Sequence, residues 1–142
     1  MKSSRKYLEH TADILFQTEA PTLGELFEQC GLAVEESQVS LNNVEIIEKR
    51  EINGENEKIE YLLFDFLDDL LFYKDSEQLI FSKFEIEIEE KDGKFQLNCS
   101  AYGEKLNPEK HEQKVDVKAI TMHMFEVKKI NGGWKAQVLI DI

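Results

Sequence analysis

Phe84-Glu85-Ile86-Glu87-Ile88-Glu89, the tetrad Lys91-Asp92-Gly93-Lys94, and Phe95-Gln96-Leu97-Asn98-Cys99-Ser100-Ala101 decide the fold. Apolar Phe84, Ile86 and Ile88 alternate with three glutamates. A period of two sends the apolar set to one side of a strand and the carboxylates to the other, the pattern of a half-exposed antiparallel strand. Asp92-Gly93 supplies a two-residue turn. Phe95, Leu97, Cys99 and Ala101 repeat the alternation on a returning strand that ends at Gly103. One hairpin of this kind argues for antiparallel sheet rather than βαβ units.

Upstream, Glu57 to Lys74 is the strongest helical pattern: Ile59, Leu62, Leu63, Phe66, Leu67, Leu70 and Leu71 form a continuous apolar stripe, with Asp65, Asp68, Asp69 and Phe72 toward the other side. Those aspartates could meet a cation or a basic partner, but the ordinary reading is a solvated face. Val44 to Ile52 reads as a charged strand, with Asn53-Gly54 as a turn signal. Earlier, Thr22 and Glu25 make a capping box. Leu23, Leu26, Phe27, Cys30 and Val34 follow at helical spacing, giving a helix over about Thr22 to Ser37. Arg5 to His10 and Ile14 to Thr18 read as strands flanking a Thr11-Ala12 bend. Downstream, Glu104 to Lys114 is a polar loop carrying Pro108 and His111, long enough for a functional role or simple mobility. Val115 to Ile130 reads as a long strand, Asn131-Gly132-Gly133 as a turn, and Trp134, Ala136, Val138 and Ile140 alternate to the end. These elements predict an α+β fold: a two-layer, mainly antiparallel sheet with two helices packed on one face, in a single domain spanning residues 1–142.

The chain has 142 residues, enough for one compact domain and too few for two ordinary ones. With 42% hydrophobic and 32% charged residues it reads as globular. No apolar run is long enough to span a bilayer, and Met1 to Lys6 lacks the apolar core of a signal peptide, so the expected location is cytoplasmic. Cys30 and Cys99 lie in apolar-periodic segments without a CxxC neighbour and read as buried free thiols. The net charge of −12, from 29 acidic and 17 basic residues, repels phosphate backbones. Tight direct nucleic-acid binding is therefore not expected. A basic protein partner that itself handles RNA suits such a surface better. The sequence has no GxSxG, no Walker-type loop, no GxGxxG after a strand and no HExxH.

Two short segments carry the chemistry. Tyr7-Leu8-Glu9-His10-Thr11-Ala12-Asp13 places an imidazole and two carboxylates beside a tight bend, and Leu139-Ile140-Asp141-Ile142 ends a buried-strand pattern with a side-chain carboxylate and the main-chain carboxylate. Taken alone, the first is more often a solvated turn than a ligand set. Together with Val117-Lys118-Ala119-Ile120-Thr121-Met122-His123, these segments resemble the archease family, and the order of helices and turns matches over essentially the whole chain. Leu15, Met122 and Asn107 depart from the family pattern.

The resemblance implies a small acidic protein that activates an RtcB-type RNA ligase by promoting its guanylylation in tRNA splicing and RNA repair. It also implies a divalent-cation site at Asp13, Asp141 and the terminal carboxylate of Ile142, weakly promotes Asp65, and points to His10, Lys118 and His123 as activation candidates with no catalytic role of their own. His10 would orient Asp13 or add a ligand. Oxygen-only ligation favours calcium, magnesium or manganese over zinc. Read from the residues, His123 is as readily a core histidine beside Phe125 and Val127, and Lys118 is a surface charge. Lying five apart, they share a face only through a bulge, or if Lys118 precedes the strand. Two rival functions remain: a stand-alone metal-dependent phosphohydrolase, and a chaperone-like modulator of a tRNA methyltransferase.

Overall fold

The computed structural model describes residues 1–8 and 12–142. In chain order the elements are β1 (Ser4–Leu8), β2 (Asp13–Ala20), α1 (Leu23–Gln38), β3 (Glu48–Asn56), α2 (Ile59–Glu77), β4 (Leu79–Lys91), β5 (Lys94–Lys105), β6 (Ala119–Ile130) and β7 (Gly133–Asp141). The α+β class and the all-antiparallel pairing match the sequence pattern. The strands divide, however, into a four-stranded sheet ordered β1-β2-β7-β6 and a three-stranded sheet ordered β3-β5-β4. Each helix contacts both sheets, α1 through β2, β7 and β4, α2 through β6 and β3. One continuous core results, containing Phe16, Phe27, Phe66, Phe81, Val138 and Ile140. Alternation within strands identifies which face is buried, but it cannot say that a second sheet closes over the helices.

Local chemistry explains most boundaries. Asp92 and Gly93, with φ of 53° and 77°, form the turn between β4 and β5; positive φ at both positions matches the strand twist. The Thr22 hydroxyl accepts from the Glu25 N–H at 3.2 Å and caps α1. Asn53-Gly54 is not a turn. It lies inside β3, opposite Asn98 and Leu97. A Cβ on Gly54 would stand 3.1 Å from Leu62 Cδ1, so the glycine permits close approach of α2. The strand predicted over Val44–Ile52 therefore begins later, at Glu48, after a 3-10 turn at Leu41–Asn43. Cys30 and Cys99 are buried free thiols, and burial pushes both up to about 12.

β4 carries an irregularity between Phe81 and Lys83. There the Phe81 N–H donates to Glu35 Oε2, a carboxyl with no solvent exposure on α1. Burial pushes Glu35 up to about 8, against the Phe81 N–H and the nearby Lys74 charge, which pull the other way. Gln38 Nε2 donates to Glu35 Oε1, while Gln38 Oε1 is buried without a partner. With Glu35 protonated and the amide turned over, that oxygen could accept the carboxylic O–H. Because the folded value lies above the ordinary 4.5, the neutral acid stabilises the fold fully below that value. The stabilisation is lost as pH rises toward 8. Each pH unit in that window is worth about 1.4 kcal/mol. Glu35→Gln is expected to flatten the decline, measured as denaturant midpoints between about pH 5 and pH 8; equal slopes for both proteins would refute the assignment.

Candidate metal site where the chain ends meet

β2 and β7 bring the chain ends together. Ala12, with φ of 63°, makes a left-handed turn just before Asp13. Asp13 then pairs directly with Asp141 in the antiparallel ladder, followed by Ile14 with Ile140 and Phe16 with Val138. Phe16, Ala20, Ala136, Val138 and Ile140 face the core, with Ile14 packed against it. Period-two alternation therefore places Asp13 and Asp141 side by side on the opposite face. Asp13 is half-buried and Asp141 exposed. β6 flanks β7 on its other side: Ala119 pairs with Asp141, and the Lys118 N–H donates to the Asp141 carbonyl at 2.8 Å. Ile142 directly follows Asp141, and its side chain packs against the core. His10 lies outside the described residues.

Strand periodicity fails for the Lys118–His123 pair. Lys118 precedes β6, and the strand is interrupted between Thr121, paired with Leu139, and Glu126, paired with Gln137. Four residues, Met122 to Phe125, thus stand opposite Val138 alone. Met124 has φ of 60°, a conformation costly for a non-glycine residue and common near functional sites. Gln137 Nε2 secures the bulge by donating to the Met124 carbonyl at 3.0 Å. The Phe125 ring packs edge-on against Phe64 of α2, with centroids 6.0 Å apart. Met122, His123 and Met124 are exposed, so His123 is not a core histidine. Lys118 is exposed as well. Val115–Lys118 is not strand, which corrects the predicted start of this element.

Sequence reasoning missed how the segment leading to Lys118 is held. Glu104 Oε2 accepts from the Glu45 N–H at 2.6 Å, Lys110 Nζ at 2.8 Å and His111 Nε2 at 3.2 Å. The Asn107 N–H donates to His111 Nδ1 at 2.9 Å, which leaves the ring proton on Nε2 facing Glu104. Burial raises the Glu104 carboxyl, but these donors outweigh it and hold it at about 2. The 104–114 segment is therefore pinned around a buried His111. The Lys74 ammonium donates to Asp116 Oδ1 at 2.7 Å and to the Val117 carbonyl at 2.9 Å, fixing the approach to β6. A polar run with one proline reads as a loop because histidine burial leaves no periodic mark.

Directly opposed residues on one face hold their Cβ atoms about 4.5–5.5 Å apart. Two ionised carboxylates at about 4 Å repel by roughly 4 kcal/mol at an effective dielectric of 20. Among the described residues no group of three or more His, Cys, Asp or Glu side chains gathers to hold a metal. The set expected from the sequence, Asp13, Asp141 and the Ile142 carboxylate, would offer oxygen donors only. Its chemistry fits a hard divalent cation that keeps positions for outside oxygens, and does not fit a closed zinc cage.

The Archease protein family matches residues 6–142. The chain is 44% identical to protein archease of Pyrococcus abyssi over 138 residues, covering 96% of this chain and 97% of that one. The solution structure of protein 1598 from Methanobacterium thermoautotrophicum superposes with a TM-score of 0.87 at 38% identity, covering 97% and 98% of the two chains. The crystal structure of an archease, possible chaperone, from Thermotoga maritima shares the fold, with a TM-score of 0.63 at 20% identity over both full chains. Matched end to end, from β1 to the closing aspartate, the chain belongs to the archease family.

Proposed function

We propose that this protein is a non-enzymatic, metal-binding activator of an RtcB-type RNA ligase, promoting guanylylation and turnover of the ligase in tRNA splicing and RNA repair. The observation that carries the reading is the direct pairing of Asp13 with Asp141 beside the chain's last residue. Asp13, Asp141 and the Ile142 carboxylate would hold calcium, magnesium or manganese, and the bound cation would supply positive charge to offset phosphate charge during nucleotidyl transfer. Lys118, exposed and held by its N–H to the Asp141 carbonyl, stands beside that site and can contact a phosphate or a ligase side chain. His123, on the exposed bulge of β6, is the second group available to the partner. A net charge of −12 favours encounter with a basic enzyme over direct RNA binding. No described helix is long and apolar enough to cross a membrane.

Purified ligase, GTP and manganese, mixed with wild-type protein or Asp141→Ala, give the test. Multiple-turnover ligation is expected to fall with the variant to the level of ligase alone, and equal turnover with both proteins would overturn the metal-site role. Because the Thermotoga maritima relative is described as a possible chaperone, the second reading is a chaperone-like modulator of a tRNA methyltransferase whose metal site is only structural. Calorimetry against each purified enzyme separates the two. A phosphohydrolase acting alone would turn over a generic phosphoester with manganese and no partner.

A further inference from the structure

The inner face of α2 is buried, yet its outer face has no cover. Tyr61, Asp65, Asp68 and Phe72 recur at i, i+4, i+7 and i+11, one continuous exposed stripe. Phe72 is 62% exposed and Tyr61 46%. The Phe72 ring touches Tyr73 edge-on, with centroids 5.7 Å apart, and is otherwise open. Single exposed apolar residues are commonplace, but here two aromatics bracket carboxylates whose charge nothing nearby cancels. Among the described residues no Lys or Arg pairs with Asp65, Asp68 or Asp69, and Lys74, on the same helix, is committed to Asp116 and the Val117 carbonyl. Burial first, then the Asp68 and Asp65 charges, hold the Asp69 carboxyl above its usual range.

We infer that the outward face of α2 docks an arginine-bearing protein surface, with Phe72 as the apolar anchor and Asp65 and Asp68 as acceptors for guanidinium groups. The carboxylates exclude a nucleic-acid occupant, since phosphate would meet like charge. Arginine is favoured over lysine because its planar fork pairs bidentately with a carboxylate and stacks on an aromatic face, whereas an ammonium is a strongly hydrated point charge. Tyr61 already shows the affinity of this face for cations, with Lys58 Nζ 5.8 Å from its ring centre. The position suits a partner acting at the chain ends. Phe64 of α2 packs on Phe125 in the β6 bulge, and Lys74 holds Val117 just before Lys118. An enzyme seated on α2 therefore stands beside Lys118 and His123, and in this respect the inference rests on the proposed ligase reading.

The test titrates isotope-labelled protein with two helical peptides of equal length and charge, one carrying arginines at i and i+4 and the other lysines. Amide shifts should centre on residues 61–72, with arginine binding about fivefold tighter. Phe72→Ala and the double variant Asp65→Asn/Asp68→Asn should each weaken binding about tenfold, the scale of losing one anchor contact. All three substituted residues are on the surface, and folding is checked in the same spectra. Equal binding of the two peptides, absent shifts, or indifference to the variants would overturn the docking face. The same variants are then measured against purified ligase by calorimetry. Ligase that binds variants and wild type alike also overturns it, whereas ligase that ignores the wild-type protein rejects only the functional reading, and the peptides still decide the surface.

Discussion

A tag fused after Ile142 is expected to weaken calcium or manganese binding by roughly 100-fold or more, while the same tag before Met1 leaves it unchanged. The expectation follows from the register. Asp13 and Asp141 occupy one cross-strand pair, and the main-chain carboxylate of Ile142 is one residue on. A tag converts that carboxylate into a neutral amide carbonyl, removing a full negative charge from a set of three. Partners that merely orient a ligand typically contribute about 10–100-fold to metal affinity, so loss of a charged ligand should reach at least the upper end. Ile142 packs against the core, so an extension must also leave in a direction the side chain already fixes. Calorimetric titration of the two tagged proteins gives the comparison directly. Unchanged affinity in the C-terminally tagged protein would remove Ile142 from the site and leave two aspartates, a set too small to hold a hard ion without help from a partner.

Gly103→Ala is expected to destabilise the fold severely. Gly103 sits inside β5, opposite both Glu48 of β3 and Phe81 of β4. A Cβ there would lie 1.8 Å from the Ile80 carbonyl oxygen, 2.7 Å from Phe81 Cα and 2.8 Å from the Ile80 carbonyl carbon. All three are backbone atoms, so no side-chain rotation relieves the overlap, and β4 must separate from β5 at its irregular pairing. The same displacement would pull the Phe81 N–H from Glu35, leaving a buried polar group unsatisfied. Overpacking and a broken buried hydrogen bond together cost on the order of 4 kcal/mol or more, against a typical total stability of about 5–15 kcal/mol. Denaturant unfolding of the variant beside wild type checks this. A midpoint matching wild type would mean that the two strands can part there without loss.

The contrast between Gly103 and Gly93 shows what the sequence made legible. Gly93 announces itself because Asp-Gly between two alternating runs has one mechanical meaning, and β4, the turn and β5 follow from it. Gly103, like Gly54, is fixed by contact with a distant segment, and a glycine with a tertiary reason looks the same as one marking a turn. Helix α2 was legible because seven apolar residues, Ile59 to Leu71, keep one face through about three and a half turns. The division into two sheets was not, since β3 pairs with β5 across an intervening helix and strand, and β2 pairs with β7 across almost the whole chain. At the candidate site, Asp13 and Asp141 could be singled out as carboxylates at strand ends, and the register then makes them neighbours. Lys118 and His123 defied the period-two argument because strand boundaries and bulges follow from hydrogen bonds made elsewhere: Lys74 to Val117, and Gln137 to Met124. His111, now the buried centre of the 104–114 segment, gave no sequence signal because its partner Glu104 is identified only once both are folded.

The position of β7 bears on how the molecule is made. Made after the other six strands, it is nevertheless an interior one, flanked by β2 and β6. A nascent chain can form the β4–β5 hairpin and both helices while still attached to the ribosome, but the four-stranded sheet must wait for β7 to clear the exit tunnel. A chain that stops short of β7 therefore lacks the middle of a sheet, and Asp141 with it. A copy able to pair Asp13 with Asp141 is therefore one in which β7 has been made and has folded into place.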